Sequence, residues 1–148
     1  MMTVSEIMIT DVNRLPPDAS LEQARALMAE KSIRHIPIVD AENRLLGLVT
    51  QRDILAATLS IPGKSETADV STSLLKTSDI MRTKIFKIEA ETDLRLAAMT
   101  MQRHKIGSLL IVNDERLVGI ITDSDYVGLA INLLEQMEEI EPPELDSF

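Results

Sequence analysis

The sequence predicts an α+β fold made of two copies of one β-α-β-β-α unit, and three observations predict it. The first is internal repetition. Ser5-Glu6-Ile7-Met8 recurs as Ser78-Asp79-Ile80-Met81, an offset of 80 − 7 = 73. The same offset pairs Leu21 with Leu94, Ala24 with Ala97, Met28 with Met101, Ile33 with Ile106 and Ile38-Val39 with Ile111-Val112. After a one-residue gap near Asn43, the run Arg44 to Thr50 falls on Arg116 to Thr122, and Asp53 falls on Asp125. The second observation is that stretches of helical spacing alternate with short β-rich runs in each copy. The third is composition: 45% of the 148 residues are hydrophobic but only 2% aromatic, so the core must be aliphatic. That length suits two half-sized units sharing a core better than two independent domains.

Each element follows from local chemistry. A short helical turn around Val4 to Met8 leads into an extended segment that ends at Pro16-Pro17, where the prolines forbid helix continuation. Ser20 and Gln23 have the spacing of a capping box, and Leu21, Ala24, Leu27 and Met28 recur on one helical face. Ile36 to Val39 and Leu45 to Val49 read as two strands joined through the polar Asp40-Ala41-Glu42-Asn43 turn, and a helix follows from Gln51 to Leu59. In the second copy the helix is Leu94 to Arg103, the strands are Leu109 to Val112 and Leu117 to Ile121, and the last helix runs from Ser124 to Met137.

The resulting organisation is a first repeat over 1–59, a linker over 60–77, a second repeat over 78–137 and a tail over 138–148. The linker is rich in Ser and Thr and contains Pro62-Gly63, which is loop composition. The tail is acidic and interrupted by Pro142-Pro143, as solvated chain ends are.

Bulk properties exclude several functions. A net charge of −9 opposes general nucleic-acid binding, which draws on clustered Lys and Arg. With no cysteine there is no disulfide, thiolate zinc site or cysteine nucleophile. No apolar run approaches the roughly 18 to 20 residues that span a membrane, and the first residues lack the pattern of a secretory signal, so a cytoplasmic protein is expected.

The sharpest chemical feature is the end of the second strand in each repeat: Gly47-Leu48-Val49-Thr50-Gln51-Arg52-Asp53 and Gly119-Ile120-Ile121-Thr122-Asp123-Ser124-Asp125. Both read as strand, Thr-x-x-Asp, helix. One reading is purely structural, since Thr followed three residues later by an acid is also a capping box. The other uses the same place for a ligand. A helix N-terminus offers free N–H groups and partial positive charge to a phosphate, and a carboxylate beside it can accept hydrogen bonds from a ribose diol.

These motifs, with Ile7-Met8 and Ile80-Met81, Ile36-Pro37-Ile38-Val39-Asp40 and Leu109-Leu110-Ile111-Val112-Asn113, resemble the cystathionine-β-synthase-type (CBS) domain over nearly the whole chain. The resemblance implies two units packed through their sheets about a pseudo-twofold axis, a Bateman module with two equivalent clefts, and two such modules associated in a disc-like homodimer. It implies regulation by an adenosine-containing ligand: AMP, ADP, ATP or S-adenosylmethionine, with no cofactor required. Carried over by motif, Asp53 and Asp125 would hold ribose hydroxyls and Thr50 and Thr122 would contact ribose or phosphate. Backbone and apolar atoms around Ile36-Pro37 and Leu109-Leu110 would frame the adenine, with Val12 and Ile85 beside them. The sequence departs from the family pattern at Ile9 and Arg82, where Thr is common, and at Leu110, where the strand proline is missing.

The two clefts are expected to be unequal. Arg34, His35 and Arg52 sit at or beside the first motif, whereas Gly107, Ser108 and Ser124 occupy the matching places in the second, with Asp123 adding negative charge. Arg34 and Arg52 suit phosphate oxygens, so the first cleft is expected to take the more strongly charged nucleotide. His35 is a candidate phosphate or ribose contact, while His104, between Arg103 and Lys105, reads as solvated. Metal-binding spacing and a nucleophile elbow are both missing, so neither a metal centre nor an enzyme is expected. Two readings remain: a nucleotide-sensing regulatory module acting on a target protein that the sequence does not name, or a ligand-free dimerisation module whose Thr-x-x-Asp motifs are only helix caps. Neither nucleic acid nor membrane is an expected partner.

Overall fold

The structure is a computed structural model that describes residues 1–59 and 74–138. The first unit has a 3-10 turn (Val4–Glu6), α1 (Leu21–Lys31), β1 (His35–Val39), β2 (Leu45–Thr50) and α2 (Gln51–Leu59). The second has α3 (Thr77–Ile80), β3 (Lys87–Glu89), α4 (Leu94–His104), β4 (Ser108–Asn113), β5 (Arg116–Thr122) and α5 (Asp123–Glu138). This is the repeated α+β arrangement expected from the sequence. Residues 60–73 of the linker expected over 60–77, and residues 139–148 of the tail expected over 138–148, lie outside the described residues, while Thr77 at the linker's end already opens α3.

Local signals set the element ends. Ser20 Oγ accepts from the Gln23 N–H at 3.1 Å, and Gln23 Oε1 accepts from the Ser20 N–H at 2.8 Å, so the capping box opens α1. The helix closes on Ser32 in the left-handed region at φ 54°, and Lys105 closes α4 at the same φ.

One expected strand is present in one repeat and missing from the other. In the second unit β3 runs parallel to β4, and beyond it the Ala90 N–H donates to Val112 O at 3.0 Å. In the first unit only Leu15 bridges Ile38, in the same register as Ile88 on Ile111. The residue matching Ala90 is Pro17, which has no N–H to extend the ladder.

The two units exchange their lead-in segments. The Ile9 N–H donates to Ile120 O and the Ile120 N–H to Ile9 O, both at 2.9 Å. Arg82 and Leu48 make the matching pair at 2.8 and 2.9 Å. The first turns cross as well: Val4 N–H donates to Thr92 O and Thr77 N–H to Ala19 O. Each contact has a mate at the repeat offset, as a pseudo-twofold relation requires.

The exchange decides which core each residue joins. Val4 is fully buried among Leu94, Ala97, Met101, Leu109, Ile111 and Ile121 of the second unit, a burial that contributes about 1.5 to 3 kcal/mol. Ile80 and Met81 pack in return on the first-unit core of Ala24, Met28, Ile36, Ile38, Val49 and Ile54. Between the two sheets, Val39, Leu45, Leu110, Val112 and Leu117 form a third cluster. Splitting the chain at its linker would open all three.

Candidate functional site

A cleft of about 800 Å³ lies between the two units, and its wall is built from matched pairs. Thr50 faces it with Thr122, His35 with Ser108, Pro37 with Leu110, Val12 with Ile85, Leu48 with Ile120 and Arg34 with Gly107. The hairpins supply most of these, because side chains of a strand alternate between faces. Pro37 and Leu110 therefore reach the cleft while their neighbours Ile36 and Leu109 turn to the cores, 0% and 1% exposed. Side chains of Ile36 and Leu109 are thus not part of the wall. Nor is Arg52, which is exposed on the first turn of α2.

Asp53 and Asp125 also stand outside the wall, one helical turn beyond Thr50 and Thr122. In the first repeat the Asp53 N–H donates to Thr50 Oγ1 at 3.1 Å, and the Thr50 N–H donates to Asp53 Oδ2 at 3.2 Å. In the second, Asp125 Oδ2 accepts from the Thr122 N–H at 2.8 Å and from the Thr122 hydroxyl at 3.1 Å. Both motifs are complete capping boxes, so both aspartates are fixed in place before any ligand arrives.

The two motifs differ in one partner. Arg82 crosses from the second repeat and grips Asp53 with two nitrogens, Nη2 to Oδ1 at 2.9 Å and Nε to Oδ2 at 3.0 Å. Its mate at the repeat offset is Ile9, which leaves Asp125 without an ion-pair partner among the described residues. Burial pushes the Asp53 carboxyl up, but hydrogen bonds from Arg82 and Thr50 and the charge of Arg82 outweigh it and hold it below its ordinary 3.8.

The ionisable side chains of the wall follow the same division. Arg34 just before β1, His35 on it, and Arg82 and Lys84 of the lead-in that pairs with β2 stand on one side, whereas Asp11 and Asp123 belong to the lead-in that pairs with β5 and to the start of α5. Burial and the neighbouring Arg34 lower the pKa of His35 from 6.5, against a raising effect of Asp53, with Arg82 lowering it further. These effects favour the neutral imidazole, which carries one N–H donor and one acceptor nitrogen.

Sequence reasoning treated Arg82 only as a departure from a pattern, and it did not identify Asp11, Lys84 or Phe86 as wall residues. Their signal was present in the offset: residues 9 and 82 are matched, so a charge at one and an aliphatic at the other marks the asymmetry. Among the described residues no group of three or more His, Asp or Glu side chains is placed to hold a metal, and no helix is long and apolar enough to cross a membrane.

Comparison with known proteins bears on this arrangement. A sequence model of the CBS domain matches residues 4–60 and 78–131. A CBS domain-containing protein of Dictyostelium discoideum is 31% identical over 135 residues, covering 89% of this chain and 93% of that one. The crystal structure of a putative acetoin utilization protein, AcuB, from Vibrio cholerae is 42% identical with a TM-score of 0.80, covering 96% of this chain and 99% of the other. CBSX2, solved in complex with AMP, is 25% identical with a TM-score of 0.74, covering 90% and 99%. Other curated relatives are longer. The chain spans 24% of the homoserine O-acetyltransferase of Methanohalobium evestigatum, 42% of the uncharacterized protein MJ1225 of Methanocaldococcus jannaschii and 42% of an uncharacterized protein of Thermofilum pendens.

Proposed function

Because the chain belongs to the CBS domain family, we propose that it is a regulatory module binding an adenosine-containing ligand, AMP, ADP, ATP or S-adenosylmethionine, in the cleft between its repeats. The observation that carries this reading is the composition of the cleft wall. Pro37, Leu110, Val12 and Ile85 offer apolar surface for a base, and Thr50 and Thr122 stand beside aspartates that their own N–H groups hold in place, carboxylates that would accept from a ribose diol. The 25% identical CBSX2, solved with AMP, supports the ligand class.

The ligand acts as a signal rather than a cofactor. Since the lead-ins cross between repeats and both hairpins line the cleft, a molecule seated there touches both repeats at once. Occupancy stabilises one relative placement of the two units over others, which is the thermodynamic content of sensing. Relatives that include acetyltransferases contain this region as a quarter of their length, so the reading here is of a non-catalytic module.

Self-association belongs to the same reading. α5 exposes Val127, Ile131 and Leu134 at helical spacing, and α2 exposes Leu55 and Leu59. A homodimer would cover these stripes, and sedimentation of Ile131→Glu as a monomer beside a wild-type dimer tests it. A wild type that sediments as a monomer removes the dimer.

Thermal unfolding with a panel of AMP, ADP, ATP, S-adenosylmethionine and NAD tests ligand binding. A ligand at 100 times its dissociation constant adds about 2.7 kcal/mol of stability. A second reading, a ligand-free interaction module, has one observation in its favour: the Thr-x-x-Asp boxes and Asp53 are already satisfied within the chain. Unfolding temperatures unmoved by every compound would favour it.

A further inference from the structure

We infer that Arg82, delivered by the opposite repeat, makes the first half of the cleft selective for a nucleoside bearing an anionic group, and that Ile9 leaves the second half without that selectivity. The inference deepens the adenosine reading and rests on it.

The argument starts from the ion pair. The two Asp53 oxygens are taken by Arg82 at 2.9 and 3.0 Å and by the Thr50 N–H at 3.2 Å. A ribose diol can reach Asp53 only by taking acceptor capacity from Arg82, whose guanidinium then loses a bidentate partner. A phosphate on the same ligand supplies a replacement, because its oxygens match the guanidinium fork as the carboxylate did. A bare nucleoside supplies none. The anion therefore completes an exchange that the diol begins, and the side chain that demands it comes from outside the repeat that holds the motif.

The surroundings agree in sign. Arg34 and Lys84 share the cleft wall with Arg82, so a ligand phosphate held in this half meets further cations. The second half shows the opposite composition. Ile9 replaces Arg82, Asp125 bonds only to Thr122 among the described residues, and Asp11 and Asp123 lie in the wall, where an anion would be repelled. The matched pair Ile9 and Arg82, with Arg34 and Lys84 on one side and Asp11 and Asp123 on the other, thus sets two ligand classes: a nucleotide in the first half, and an uncharged or cationic nucleoside in the second.

The size of the effect follows from exposure. The Arg82 side chain is 59% exposed, so water solvates it when it leaves Asp53 and limits the penalty for a ligand without phosphate. The preference for AMP over adenosine created by Arg82 is therefore about tenfold, the low end for a charge-assisted hydrogen bond.

Titration calorimetry of wild type, Arg82→Ile and Ile9→Arg with AMP and with adenosine tests the inference. Arg82→Ile is expected to weaken AMP about tenfold while leaving adenosine unchanged or tighter, since Asp53 is freed. Ile9→Arg is expected to raise the preference for AMP at the second half. Equal loss of both ligands in Arg82→Ile, or an unchanged preference, overturns the inference and leaves the adenosine reading standing, as does a wild type that binds both compounds equally. A wild type that binds neither overturns both.

Discussion

Arg82 and Asp53 belong to different repeats, yet they form a bidentate ion pair with Nη2 2.9 Å from Oδ1. The pair exists because the second lead-in crosses to β2 of the first unit, where Arg82 and Leu48 exchange backbone hydrogen bonds. One side chain is thereby tied at once to the inter-repeat junction, to the cap of α2 and to the cleft.

The pair gives the protein an acid sensitivity. Asp53 has a folded pKa below its ordinary 3.8, so its contribution to stability is fully present above that pH and is lost as pH falls from 3.8 through the lower folded value. Urea unfolding of Asp53→Asn and wild type at pH 5 and pH 3 is expected to show a smaller stability loss for the variant. Parallel losses would remove Asp53 from the account.

The glycines that open the two motifs should be intolerant of a methyl group. A Cβ at Gly47 would lie 2.7 Å from Arg82 O and 2.8 Å from Met81 Sδ; at Gly119 it would lie 2.6 Å from Met8 Sδ and 2.9 Å from Ile9 O. Backbone cannot yield as a side-chain end can, so Gly47→Ala and Gly119→Ala are each expected to cost about 1 to 3 kcal/mol. Gly128 in α5 is the control. Nothing lies within 4 Å of its added Cβ, and Gly128→Ala is expected to stabilise by about 0.5 to 1 kcal/mol. Chemical denaturation of the three variants checks both signs.

Thr77 is fully buried, and its hydroxyl donates to Pro16 O at 2.8 Å and Pro17 O at 3.1 Å. Its mate at the repeat offset is Val4, so an apolar residue of this shape is accommodated at the matching place. Thr77→Val keeps the volume and removes the donor, and is expected to cost about 0.5 to 1.5 kcal/mol, the net contribution of one hydrogen bond, since Pro16 O and Pro17 O keep the Ala19 and Ser78 N–H groups as donors. Val4→Thr, which adds a hydroxyl in an apolar cluster, should also destabilise. Thermal unfolding of both variants measures the two effects, and a Thr77→Val protein as stable as wild type would contradict the first.

The boundaries of α2 and the capping box of α1 were legible in the sequence because caps and hydrophobic spacing are local. The Thr-x-x-Asp motifs were legible as either caps or ligand sites, and the structure shows the caps formed. What local reasoning did not supply depends on the exchange between repeats. Gly47 must be glycine because Arg82 O lies against it, and Arg82 matters to the first motif although it is written in the second repeat. Likewise Pro17 explains a missing strand only once Ala90 is seen donating to Val112. Ile36 and Leu109 look like cleft residues by adjacency to Pro37 and Leu110, but strand alternation turns their side chains to the cores.

Titration calorimetry with AMP on wild type and on Asp53→Ala tests the central claim most directly. The claim is that the cleft between the repeats binds an adenosine-containing ligand through the Thr50–Asp53 motif. The expected result is saturable binding by wild type and affinity reduced about tenfold or more in Asp53→Ala, with the folded state retained by circular dichroism. Absence of binding by wild type, or wild-type affinity in Asp53→Ala, would contradict it.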